Sequence, residues 1–122
     1  MKALLCLLAV LPTPALALTA DDYLSHCRGH STYDRAVCMG ELDAVLERDA
    51  QAQNSLLGGS AITTALAAPA YCLPPGANLR QLRDRIIPVL ASGSTATRSG
   101  DAKAALRATL RRVYPPAPNC LH

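Results

Sequence analysis

Five cysteines stand in a chain of 122 residues that has no Phe and no Trp, and the fate of those sulfurs decides what the chain can fold into. Small domains with thin cores depend on covalent staples, and in exported proteins those staples are disulfides. Cys6 belongs to a different kind of segment. Lys2 supplies a positive start, Ala3 to Leu11 an apolar run, and Ala15-Leu16-Ala17 a small-residue cleavage pattern, so residues 1–17 read as a signal peptide. Pro12 and Pro14 interrupt the run well short of the roughly 20 apolar residues that a membrane-spanning helix needs. Cleavage after Ala17 is expected to leave residues 18–122 as one exported periplasmic domain, with no membrane segment after signal removal. It keeps four cysteines: Cys27, Cys38, Cys72 and Cys120.

Composition narrows the class. Half the residues are apolar and 17% are charged, which argues against a disordered chain. The length argues against an enzyme with separate cofactor and substrate domains. A formal net charge of +3, lowered by one when Lys2 is removed, singles out no polyanionic partner. Four Tyr, without Phe or Trp, offer few rings on which bases could stack, so no nucleic-acid partner is expected. The arginines gather at Arg80, Arg83 and Arg85 and at Arg107, Arg111 and Arg112, and read as solvated faces of amphipathic helices. The uncharged run over residues 50–79 holds a glycine pair and three prolines, so it reads as a soluble helix followed by loops.

Capping residues and apolar spacing predict an all-α chain of four to five helices. Thr19 caps a first short helix, with Asp21 and Asp22 suited to the positive end of the macrodipole, and Gly29 ends it. Ser31 or Thr32 starts a second helix running to about Asp49. Its inward stripe is Cys38, Leu42, Val45 and Leu46. The Ala-rich stretch over residues 60–68 suggests a third, weaker helix. Asn78 caps the next, with Leu79, Leu82, Ile86, Val89 and Leu90 facing inward, and Pro88 is expected to kink or end it about a turn early. Residues 92–100, rich in Gly, Ser and Thr, read as a mobile linker. Asp101 opens a last helix with Ala102, Leu106, Thr109, Leu110 and Val113 inward, stopped at Tyr114-Pro115-Pro116.

Four cysteines allow three disulfide connectivities. The last two helices form an antiparallel hairpin, with Cys72 before it and Cys120 after it, so these two are expected to meet. Cys27 closes the first helix and Cys38 lies early in the second, which suits a short-loop bridge. Cys27–Cys38 and Cys72–Cys120 is therefore the favoured pairing, giving a small disulfide-stapled bundle. A metal site built from His26, Cys27, His30 and Cys38 is the competing use of these residues. It is disfavoured, because no Cys-x-x-Cys pair is present and an oxidising compartment consumes thiols. No metal and no cofactor is expected.

Catalytic constellations are few. The chain has no Gly-x-Ser-x-Gly, no phosphate-cradling glycine loop and no metalloprotease helix motif, and the mature histidines are His26, His30 and His122. Glu41, Asp43 and Glu47 share one helix and read as a solvated acidic face paired with arginines, in preference to an acid/base pair. The expectation is a protein that binds and does not catalyse.

An ordered set of motifs gives that expectation a family. Cys38-Met39-Gly40 on a helix is followed by Tyr71-Cys72-Leu73-Pro74-Pro75-Gly76, and then by Asn78-Leu79-Arg80-Gln81-Leu82 opening a helix. Ala105-Leu106 and a closing Tyr114-Pro115…Cys120 complete the set. Over residues 19–120 this resembles the Rap/Tai family of type VI secretion immunity proteins. The resemblance implies a small helical periplasmic protein, often a homodimer, that blocks a peptidoglycan amidase effector by occluding its catalytic cleft.

Recognition surfaces are expected on anchored loops. The candidates are the turn at Leu73, Pro74, Pro75, Gly76 and Asn78, and the linker carrying Ser94 and Arg98. The alternatives are a periplasmic acid-stress or chaperone-like helical protein, and an exported protein with no cognate toxin.

Overall fold

In a computed structural model of the chain we describe residues 17–57, 70–118 and 120. Five helices follow in order: α1 (Ala20–Arg28), α2 (Thr32–Leu57), α3 (Leu79–Ala91), α4 (Thr95–Ser99) and α5 (Ala102–Val113). The protein is a small all-α bundle stapled by two disulfides. The Ala-rich stretch over residues 60–68 lies outside the described residues. Among those described, no helix is long and apolar enough to cross a membrane.

Each helix starts where a short polar side chain replaces a missing backbone partner. The Thr19 hydroxyl accepts from the Asp22 N–H, the Ser31 hydroxyl from Asp34 and the Asp101 carboxylate from Ala104. Asn78 and Gln81 satisfy one another's backbone N–H groups in a reciprocal capping box. The starts of α1 and α5 are themselves joined. Ala20 N–H donates to the Gly100 carbonyl at 3.0 Å, and Ala102 N–H to Leu18 at 2.8 Å.

Three expectations about the helices need correction. The second helix runs to Leu57, past Asp49. After Gly40 no glycine or proline occurs until Gly58, and Ala50, Gln51 and Ala52 all favour helix. Pro88 does not end α3, which continues to Ala91. Pro88 and Asp84 are both exposed, so the Asp84 carbonyl that loses its donor is left on the solvent side. The segment taken for a mobile linker folds as α4. Ser94 caps it through the Thr97 N–H and Gly100 ends it, so Ser94 and Arg98 sit on an ordered turn packed beside α1.

The core lies where α1, α2, α3 and α5 meet. Tyr23, Leu24, Leu42, Val45, Ile86, Leu90, Leu106 and Leu110 are its largest fully buried side chains, and Ala20, Ala102 and Ala105 let backbones approach closely. Leu46, Leu79, Val89 and Val113, expected inside, are only half-buried. Tyr23 brings a polar atom into the core and spends it within the fold, its hydroxyl donating to the Cys38 carbonyl at 2.9 Å. Burial, with Glu41 adding to it, pushes that hydroxyl's pKa above the ordinary tyrosine range. Thr109, also buried, donates to the Ala105 carbonyl one turn back.

Gly40 sits on the exposed side of α2, and a Cβ placed there would meet nothing within 4 Å. Nothing in the fold requires a glycine here. Gly40→Ala is therefore expected to stabilise the protein by about 1 kcal/mol. A higher urea midpoint with an unchanged slope would show it.

Candidate partner-binding surfaces

The two surfaces expected from sequence lie at opposite ends of α3. The turn over residues 73–78 precedes it and α4 follows it, so its 13 residues, roughly 20 Å of helix, separate them. They do not form one site. Within the turn, Ala77 N–H donates to the Pro74 carbonyl and Gly76 has φ 72°, a left-handed conformation that suits glycine after Pro75 in a type II turn. Leu73 is half-buried against the core and Asn78 is committed to the α3 cap. Pro74, Pro75 and Gly76 remain as an exposed ridge. The ridge is anchored just behind by the Cys72–Cys120 bond and by Cys72 N–H donating to the Tyr114 carbonyl at 3.0 Å.

At the other end, Arg98 reaches the Asp21 carboxylate at 3.7 Å and is half-buried, and its Nε has no hydrogen-bond partner among the described residues. Ser94 is held by Thr97. Arg98 links α4 to α1, whereas Ser94 is spent on capping α4 itself.

A third surface brings together residues that the sequence scatters. The end of α1, the start of α2 and the length of α3 enclose a groove of about 650 Å³. Its walls carry Arg35 from α2 and Arg80, Arg83 and Asp84 from α3, and Cys27 and Ile87 supply apolar surface between them. The Arg83 guanidinium donates to Asp84 at 2.9 and 3.1 Å, and its Nη1 lies 3.7 Å from the Met39 sulfur. Sequence reading grouped Arg80 and Arg83 with Arg85 as a solvated face but missed Arg35, because the groove exists only once α2 and α3 pack. A smaller groove of about 440 Å³ between α2 and α5 carries Arg48, Lys103, Arg107 and Asp101.

Two polar clusters fix these surfaces. Asp49 accepts from the Tyr71 hydroxyl at 2.7 Å and from Arg107 Nη2 at 2.9 Å, joining α2, the segment before α3, and α5. Burial first, then Asp49, pushes the Tyr71 hydroxyl's pKa up, and the hydrogen bond to Asp49 pushes Arg107 up too. No periodicity or spacing in the sequence points to this triad, whose members are 22 and 58 positions apart. Glu41, Asp43 and Glu47 form no ion pair with an arginine among the described residues, against the expected acidic-face pairing.

The second cluster is at the Cys27–Cys38 loop, where the two sulfurs form the favoured disulfide and leave none for the competing metal reading. His26 Nδ1 lies 2.7 Å from Asp34 Oδ1. An ionised carboxylate can only accept, so the imidazole carries its proton on Nδ1. Hydrogen bonds from His26 first, and from Ser31 second, hold the Asp34 carboxyl below the ordinary aspartate range. Gly29 makes room for this pair, since a Cβ there would overlap the Asp34 side chain. Among the described residues, no group of three or more His, Cys, Asp or Glu is placed to hold a metal ion.

A lowered folded-state value means that ionised Asp34 favours the fold. Its contribution is present above about pH 4 and is lost as pH falls through the lowered value. Asp34→Asn should therefore flatten the dependence of the urea midpoint on pH below about pH 4. Gly29→Ala, by displacing the carboxylate, should do the same, and a variant curve as steep as the wild type would refute the assignment. Searches of known protein families, of curated proteins and of solved structures found no match to the chain.

Proposed function

We propose that the chain is exported to the periplasm and acts there as a non-enzymatic binding protein, an immunity-type inhibitor that blocks a peptidoglycan amidase effector. The partner class rests on the ordered motif set that resembles the Rap/Tai immunity family. That resemblance also implies a homodimer. One structural observation carries the binding role: each disulfide anchors an exposed surface. Cys27–Cys38 closes the loop that carries Arg35 at the groove, and Cys72–Cys120 backs the Pro74–Pro75–Gly76 ridge. Surfaces held in place before binding lose less conformational freedom when a partner arrives, which favours a tight, occluding complex.

The acid-stress reading requires a fold that opens as pH falls. The acid-sensitive contact at His26 and Asp34 lies inside a loop that a disulfide closes. The disulfide keeps that loop closed when the contact is lost, so this contact lends the acid-stress reading no support.

The test is capture and inhibition with the mature, disulfide-intact protein. It is expected to retain a cell-wall amidase from extracts of bacteria that deliver such effectors, and to abolish peptidoglycan cleavage at one-to-one stoichiometry. Failure to retain any cell-wall hydrolase, or retention that leaves the hydrolase fully active, would overturn the proposal.

A further inference from the structure

We infer that the groove between the α1–α2 junction and α3 is a docking site for an acidic segment of the protein partner, whose carboxylates bind Arg35 and Arg80. The inference rests on the protein-binding reading above and adds the chemistry of the contact. Three guanidinium groups line the groove against one carboxylate. Asp84 occupies Arg83, leaving Arg35 and Arg80 without an ion-pair partner among the described residues. They come from different helices, so a carboxylate-bearing chain lying in the groove meets both. A guanidinium presents a planar fork of donors that matches a carboxylate, and such charge-assisted bonds are the strong ones.

Part of the groove's frame is tied down. Arg35 lies between Cys27 and Cys38 in the loop the disulfide closes, and its neighbour Asp34 is held by His26. Arg83 is fixed between Asp84 and Met39. The smaller groove also carries two cations with no ion-pair partner among the described residues, Arg48 and Lys103, but only one of them is a guanidinium with a planar fork of donors. It provides a control.

The probe is a capped tetraglutamate peptide titrated into isotope-labelled protein, with capped tetraglutamine as comparison. Backbone amide signals at Arg35, Arg80 and Asp84 should shift with tetraglutamate, not with tetraglutamine, and the binding should weaken as salt is raised. R35Q/R80Q should weaken it at least about tenfold, the effect of losing one to two charge-assisted bonds. R48Q/K103Q should leave it unchanged. Neither arginine of the first pair has an ion-pair partner among the described residues, so folding and disulfides should be retained.

Equal shifts with tetraglutamine, shifts scattered over the surface, or undiminished binding by R35Q/R80Q would each overturn the inference. So would a soluble peptidoglycan fragment that bound the groove more tightly than tetraglutamate, since the groove would then take a cell-wall ligand. With a captured amidase, R35Q/R80Q should also lose at least about tenfold in affinity. Full affinity there would remove the groove while leaving the inhibitor reading intact. If the wild type captures no amidase, the inhibitor reading fails and the peptide titration still decides whether the groove binds acidic chains.

Discussion

Two covalent bonds tie this fold together, one between α1 and α2 and one between the segments that flank α3 and α5. Cys27–Cys38 spans 11 positions and Cys72–Cys120 spans 48, and on the chain-entropy model such closures contribute at most about 3 and about 4 kcal/mol. These are large terms beside the net stability of roughly 5–15 kcal/mol typical of a domain. The core they support is built of Leu, Ile, Val and Ala around a single fully buried ring, Tyr23. The first bond makes α1 and α2 one unit, reinforced by Tyr23 donating to the Cys38 carbonyl and by His26 on Asp34. The second gathers the segment before α3 and the tail after α5, next to the contact between Cys72 and Tyr114.

Much of this is legible along the chain because it depends on local chemistry. Thr19, Ser31, Asn78 and Asp101 mark helix starts through one side-chain oxygen each. The stripes at Leu42 and Val45, at Leu82 and Ile86, and at Leu106 and Leu110 follow from 3.6-residue spacing. Helix ends are harder to read. A helix continues until something stops it, and neither Asp49 nor Pro88 does. The Ser94 cap was visible in the residues over 92–100, but their Gly, Ser and Thr content outweighed it.

The candidate site was less legible, for a physical reason. Arg35 and Arg80 are 45 positions apart and become neighbours only through helix packing. The Asp49 triad with Tyr71 and Arg107 has the same character, as does the clearance at Gly29 that admits Asp34. The two loops singled out in advance are parted by α3, and much of their polar chemistry is spent on caps. The groove beside α3 carries two guanidinium groups with no ion-pair partner among the described residues. A rigid scaffold with unpaired guanidinium groups fits recognition of a protein with complementary acidic groups, where charge selects the partner and speeds encounter.

The most direct measurement is a disulfide map. The chain from Leu18 onward, alkylated under denaturing conditions without reductant and then cleaved, should show no modified cysteine. Its peptides should contain Cys27 joined to Cys38 and Cys72 joined to Cys120. Free thiols, bound zinc, or a Cys27–Cys72 or Cys27–Cys120 linkage in the native protein would contradict the stapled scaffold on which the binding role is built.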